Sequence, residues 1–120
     1  MSRDYRNLRV FQRADALVLQ VYRVTASFSP DERYGLQSQI RRAAVSVATN
    51  IVEGSARRTT REYVNFLNLA NGSCVELEYL LGLASRLDLV TSDCAAHLKA
   101  EYGLVARGLQ QMISTLGTYP

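Results

Sequence analysis

Apolar residues recur every three or four positions along almost the whole chain, and nowhere do they alternate with polar ones over a strand-like length. That spacing follows the 3.6-residue turn, so the chain is confined to helices that each bury one face. On a first helix at 8–28, Leu8, Phe11, Ala14, Leu17, Val18, Val21, Tyr22, Val24 and Phe28 cover an arc of roughly 200°. Arg9, Arg13, Gln20 and Arg23 occupy the other side. This places Tyr22 in the core.

The breaks between apolar runs have recognisable chemistry. In Ser29-Pro30-Asp31-Glu32, serine suits an N-cap, proline the first helical position and glutamate the third residue of a capping box. A second helix is predicted at 34–53. Leu36, Ile40, Ala43, Ala44, Val47 and Ile51 form one apolar stripe, and Val45, Ala48 and Val52 form another about 115° away. Two stripes need two partners, the helix's own bundle and, as an expectation, a second subunit. Gly54 is expected to end this helix as a C′ residue. Thr59 with Glu62 offers a capping box for a third helix at 60–87, and Thr91-Ser92-Asp93 opens a fourth at 92–117. Gly72 falls mid-helix, where glycine costs about 1 kcal/mol against alanine, so close approach of another backbone is expected there. Short connections between long helices imply antiparallel neighbours. The fold class is therefore all-α, an up-down-up-down four-helix bundle.

A chain of 120 residues with only two prolines suits one domain with its own core. No apolar run approaches the roughly 20 residues of a membrane span, and the segment Met1-Ser2-Arg3-Asp4-Tyr5-Arg6 lacks the apolar centre of a signal peptide. A cytoplasmic protein with no membrane partner is the expectation. Cys74 and Cys94 have no CxxC spacing and fall in apolar registers, which suits small core residues. Of 14 basic residues, 13 are arginine; residues 1–61 hold eleven of them against five acids, whereas residues 62–120 hold three basic residues against six acids. The asymmetry suits an anionic partner or pairing between subunits.

These residues resemble a family. The resemblance is carried by Tyr34-Gly35-Leu36, Gln39-Ile40-Arg41-Arg42-Ala43-Ala44-Val45-Ser46, Asn50-Ile51-Val52-Glu53-Gly54 and Ala70-x-Gly72-Ser73-x-x-Glu76-Leu77, and it spans nearly the whole chain. The chain is similar to the bacterial four-helix-bundle proteins named after intervening sequences in 23S ribosomal RNA genes. Val52 stands where the family often has alanine, and Tyr63 where it commonly has phenylalanine. The resemblance implies a ring-like homopentamer and no established enzymatic activity. Relatives include the accessory protein of diversity-generating retroelements, which binds nucleic acid and a reverse transcriptase.

Candidate sites follow from the arginines. Arg57, Arg58 and Arg61 surround the start of the third helix, where free amides and the helix dipole favour an anion; the alternative is a solvated loop. Arg9, Arg13 and Arg23 make a basic stripe for RNA or DNA phosphates, against the alternative of a solvated helix face. Arg41, Val45, Ala48, Val52 and Gly72 are the candidate oligomer interface. Antiparallel pairing brings Arg41 and Arg42 near Ser73 and Glu76. Asn50 is expected to hydrogen-bond locally or across an interface, and Glu53 and Glu62 to anchor neighbouring arginines. No catalytic set emerges: no HExxH, no Gly-rich phosphate loop, no Ser-His-Asp set and no Glu-x-x-His pair for two metals. His97 and Glu101 share i,i+4 spacing but read as structural. No enzyme, metal or cofactor is expected, and a non-catalytic nucleic-acid module or a scaffold for a protein client remains.

Overall fold

The computed structural model describes residues 3–117, which leaves Met1 and Ser2 of the polar N-terminal segment outside the described residues. Four helices follow in order: α1 (Arg9–Thr25), α2 (Leu36–Ser55), α3 (Thr60–Arg86) and α4 (Ser92–Leu116), with 3-10 turns at Tyr5–Asn7 and Pro30–Glu32. Contacts between helices run in opposite numerical order. Arg42 meets Glu76, Ser46 meets Ser73 and Gly54 meets Phe66, so α2 and α3 are antiparallel. Tyr22 with Arg41 and Thr25 with Gln37 give the same sense for α1 and α2. Asn71 with Gln110 fixes α3 against α4, and Arg13 with Glu101 closes α4 onto α1. The result is an up-down-up-down bundle with extents of 48 × 21 × 20 Å.

The core is an aliphatic column. Leu17, Ile40, Ile51, Leu67, Leu77, Leu81, Leu98 and Leu109 are at most 1% exposed, and Cys74 and Tyr102 are buried among them. The Tyr102 hydroxyl has no hydrogen-bond partner among the described residues. Burial pushes the Tyr102 phenol up and carries the Cys74 thiol up to about 12, so both are neutral, as buried groups in an apolar medium must be. Cys94 is half-buried, and neither cysteine is bonded to another.

Helix ends depart from the predicted ones for local reasons. α1 stops at Thr25 rather than Phe28. Gln37 Nε2 donates to the Thr25 carbonyl at 2.8 Å and Arg41 Nη2 to the Tyr22 carbonyl at 3.1 Å, so α2 side chains satisfy the last carbonyls of α1. Phe28 lies beyond the helix yet remains buried. Ser29 makes no cap; instead the Glu32 carboxylate accepts the Leu36 amide at 3.0 Å and starts α2. Gly54 is not a C′ residue. It lies inside the last turn of α2, where an added Cβ would be 2.8 Å from Phe66 Cβ. Thr59 caps α3 by accepting the Glu62 amide at 3.1 Å, and Thr91 caps α4 by accepting the Cys94 amide, also at 3.1 Å. α3 ends at Arg86 in a Schellman arrangement. Asp88 takes φ 59°, its amide donates to the Ser85 carbonyl, and the Leu89 amide donates to the Ala84 carbonyl at 2.9 Å.

The second stripe of α2 finds its partner largely within the chain. α2 packs against both α1 and α3, which are diagonal to one another. Ala48 is 8% exposed, Val45 and Val52 are half-buried, and Val52 shares a shallow cleft with Arg3, Tyr5 and Arg6. Part of this face is thus covered within the chain, and Val45 and Val52 stay partly exposed. Tyr22, placed in the core by its register, is instead 43% exposed, with the Arg41 guanidinium 4.4 Å above its ring. No helix among the described residues is long and apolar enough to cross a membrane.

Candidate nucleic-acid interface

The tight contact of α1 and α4 builds the first part of the site. An added Cβ on Gly108 would lie 3.2 Å from Val10 Cγ2, so the two helices approach closely there. Their flanking side chains then line one groove of about 410 Å³. Arg9 and Arg13 contribute from α1, and Arg107 and Gln111 from α4. Arg13 is half-buried and pairs with Glu101 at 3.3 Å, whereas Arg9 and Arg107 are exposed and have no carboxylate partner among the described residues. Three guanidinium groups thus share one carboxylate. Arg107 escapes a reading of the sequence because it stands alone in the acidic half of the chain. Its signal is its α4 position beside Gly108, which becomes meaningful only once α4 is paired with α1.

Gln111 also lines the neighbouring pocket at the end of the bundle, so the groove continues into it. That pocket, about 590 Å³, has Leu8, Met112 and Leu116 as apolar walls and Arg3 and Tyr63 beside them. The Arg3 guanidinium stacks on the Tyr63 ring at 4.5 Å and donates to the Thr60 hydroxyl at 3.4 Å. Burial raises the Tyr63 phenol and Arg3 partly opposes it, so the phenol is neutral near pH 7. Arg6 is engaged with Asp4 at 3.0 Å, and its hydrogen bonds hold the Asp4 carboxyl below the usual carboxylate range.

Beyond Thr60 lies the arginine turn, where the three predicted residues separate. Arg57 folds back, with Nε donating to the Glu53 carbonyl at 3.2 Å and its guanidinium 4.8 Å from the Phe66 ring. Arg58 and Arg61 project into solvent without a carboxylate partner. The helix start between them is already occupied. Glu62 lies in the first turn, and its carboxylate accepts from the Thr59 hydroxyl at 3.0 Å. An anion would meet that negative charge, which weakens the N-terminal anion site. Neither Glu53 nor Glu62 pairs with an arginine through its carboxylate.

The remaining predicted residues take structural places. Arg23 lies farther along α1, outside the groove lining. Arg42 pairs with Glu76 at 3.7 Å, but Arg41 turns to α1 instead, with Nε on the Thr25 hydroxyl at 2.8 Å. Arg41 is therefore held against the end of α1 by neutral partners. Asn50 donates to the Ser46 carbonyl at 2.9 Å and to its hydroxyl at 3.0 Å, and Ser73 donates to that hydroxyl from α3, also at 3.0 Å. Gly72 is exposed, with nothing within 4 Å of an added Cβ. Among the described residues no group of three or more His, Cys, Asp or Glu side chains is placed to hold a metal ion. Glu101 is directed to Arg13 rather than to His97.

A protein of unknown function from the S23 ribosomal protein family of Bacteroides thetaiotaomicron VPI-5482 has the same fold. The two match with a TM-score of 0.78 at 20% identity, over 87% of this chain and 97% of that one. No curated protein matches the chain. The 23S rRNA-intervening sequence protein family matches residues 6–111, from the first 3-10 turn into the last turns of α4, and the chain belongs to that family.

Proposed function

We propose that this chain is a non-catalytic module that binds single-stranded nucleic acid along the α1–α4 groove and the pocket joined to it by Gln111. The observation that carries the reading is the convergence of Arg9, Arg13 and Arg107, from two helices, on one groove with a single carboxylate partner among the described residues. Arginine's planar fork suits phosphate, and the adjoining apolar pocket, with Tyr63 and Arg3 at its side, suits an unpaired base. Arg58 and Arg61 extend the charge beyond Thr60. A duplex keeps its bases stacked inside and gains nothing from such a pocket.

The test is fluorescence anisotropy with labelled single-stranded and duplex RNA and DNA at about 50 and 200 mM salt. Three phosphate contacts on a single strand predict a loss of about 20-fold in affinity across that range. Binding that favours single strands and weakens steeply with salt supports the reading. No binding at low salt refutes it.

One observation favours the alternative of a protein-interaction scaffold. Leu69, Val75 and Tyr79 on α3, and Leu87 just beyond its end, are 54–62% exposed, and with Gly72 and Leu83 they span an arc of about 120° away from the core. This stripe suits self-association better than the α2 flank does, and it keeps Gly72 in the contact. A homopentamer, with or without a protein client, would use it. Sedimentation of the wild type against Tyr79→Glu tests that use; a sedimentation profile unchanged by the substitution refutes it.

A further inference from the structure

The turn between α1 and α2, remote from the α1–α4 groove, holds a second cavity of about 390 Å³. Phe28, Ser29, Pro30, Arg33, Gln37 and Arg41 line it. Arg41 is fixed there by three tethers. Nε donates to the Thr25 hydroxyl at 2.8 Å, Nη2 donates to the Tyr22 carbonyl at 3.1 Å, and the guanidinium lies 4.4 Å from the Tyr22 ring. All three partners are neutral groups, so none cancels the charge. Thr25 is itself 1% exposed and held by its own bond to the Val21 carbonyl at 2.8 Å, which makes the anchor rigid. Arg33 is exposed and also lines the cavity, and its side chain has no partner among the described residues.

Among the described residues no carboxylate lines the cavity. Asp31 and Glu32 lie on the adjoining 3-10 turn but neither lines the cavity, and Glu32 is committed to the Leu36 amide at 3.0 Å. The C-terminus of α1 offsets about half a unit of charge. Two guanidinium groups on the lining suit a phosphate monoester, which carries about −1.5 to −2 at pH 7. The Ser29 hydroxyl adds a donor of the kind a phosphate oxygen accepts.

We propose that this cavity is a binding site for a phosphate dianion, held between Arg33 and Arg41. Arg41 is the preset wall and Arg33 the arm that closes on the ligand. The site is independent of the single-strand groove, and the two can fail separately.

Titration calorimetry with inorganic phosphate at pH 7.5 and constant ionic strength tests it. Saturable binding of one phosphate per chain is expected. Arg33→Gln, a surface change, should weaken it at least tenfold, because each charge-assisted bond to phosphate is about twice a neutral one. Lys99→Gln, exposed and outside both sites, should leave it unchanged, and acetate should bind at least tenfold more weakly than phosphate. Absence of saturable binding, full affinity in Arg33→Gln, loss in Lys99→Gln or equal binding of acetate each overturns the assignment. A short oligonucleotide with and without a 5′-phosphate identifies the source. A gain on phosphorylation that Arg33→Gln abolishes supports the site and assigns it to a nucleic-acid end. Phosphate binding without such a gain supports the site and assigns it to a free phosphate compound.

Discussion

Gly54→Ala tests the contact that orders the α2–α3 end of the bundle. The new Cβ would lie 2.8 Å from Phe66 Cβ and 3.0 Å from Tyr63 Cδ1. Carbon atoms in contact prefer about 3.5–4.0 Å, so something must move by most of an ångström. Phe66 Cβ is fixed to the α3 backbone and cannot swing away as a side-chain tip would. The helices must therefore separate where Arg57 stacks on Phe66. Overpacking of this kind costs about 1–3 kcal/mol, and alanine returns up to about 1 kcal/mol through helix propensity. A net loss of roughly 1–2 kcal/mol should lower Tm by roughly 4–8 °C for a chain of this size. Gly72→Ala is the matched control. It makes the same chemical change mid-helix with nothing within 4 Å, and it should stabilise the fold by roughly 0.5–1 kcal/mol. Thermal and urea unfolding followed by helical circular dichroism, at one protein concentration, reads both. If Gly54→Ala is as stable as the wild type, the close packing of α2 on α3 does not constrain this end, and the reasoning is wrong.

Tyr102→Phe should stabilise the protein by about 1 kcal/mol, since an unpaired buried hydroxyl costs about 1–3 kcal/mol; a clear loss in urea unfolding would mean the hydroxyl has a partner. The raised Cys74 and Tyr102 pKa values favour the folded state below the unfolded-state values, and that stability drains away as pH rises toward the folded ones. Cys74, going from 9.0 to about 12, should by itself cost roughly 2 kcal/mol between pH 9 and 11, and Cys74→Ala should flatten the alkaline slope. An equally steep slope in the variant would assign the alkaline loss elsewhere. Arg107→Gln should reduce the salt slope of single-strand binding by about 0.7, while Arg23→Gln, on α1 but beyond the groove lining, should not change it. Equal effects of the two would place the contact on the α1 face rather than in the groove.

Most of the fold was legible because every helix carries its own apolar stripe and three of the four starts carry a side-chain acceptor. Thr59 and Thr91 cap as threonine should, and Glu32 caps α2 in place of Ser29. The ends were less legible. Gly54 suggested a left-handed stop, but its missing Cβ serves the approach of Phe66, a contact between residues far apart in sequence. Asp88 supplies the left-handed stop of α3 without any glycine to announce it. Tyr22 lay on the apolar side by register, and only the proximity of Arg41 explains why its ring faces outward.

The candidate binding residues were harder to read, and the reason is geometric. Neighbours in sequence diverge by about 100° on a helix, so an Arg-Arg pair seldom acts as one site. Arg41 and Arg42 illustrate this: one seals the end of α1 and the other pairs with Glu76 on α3. Arg57 and Arg58 part in the same way, one onto Phe66 and the other into solvent. Charges that do converge come from different helices, as Arg9, Arg13 and Arg107 do. Arg33 and Arg41 converge from a turn and the helix that follows it. In an antiparallel bundle the residues that can grip one phosphate are therefore set by helix pairing. Clusters of basic letters in the sequence overstate some sites and conceal others, and Arg107, which has no basic neighbour in sequence, is the one whose loss should be felt most clearly along the groove.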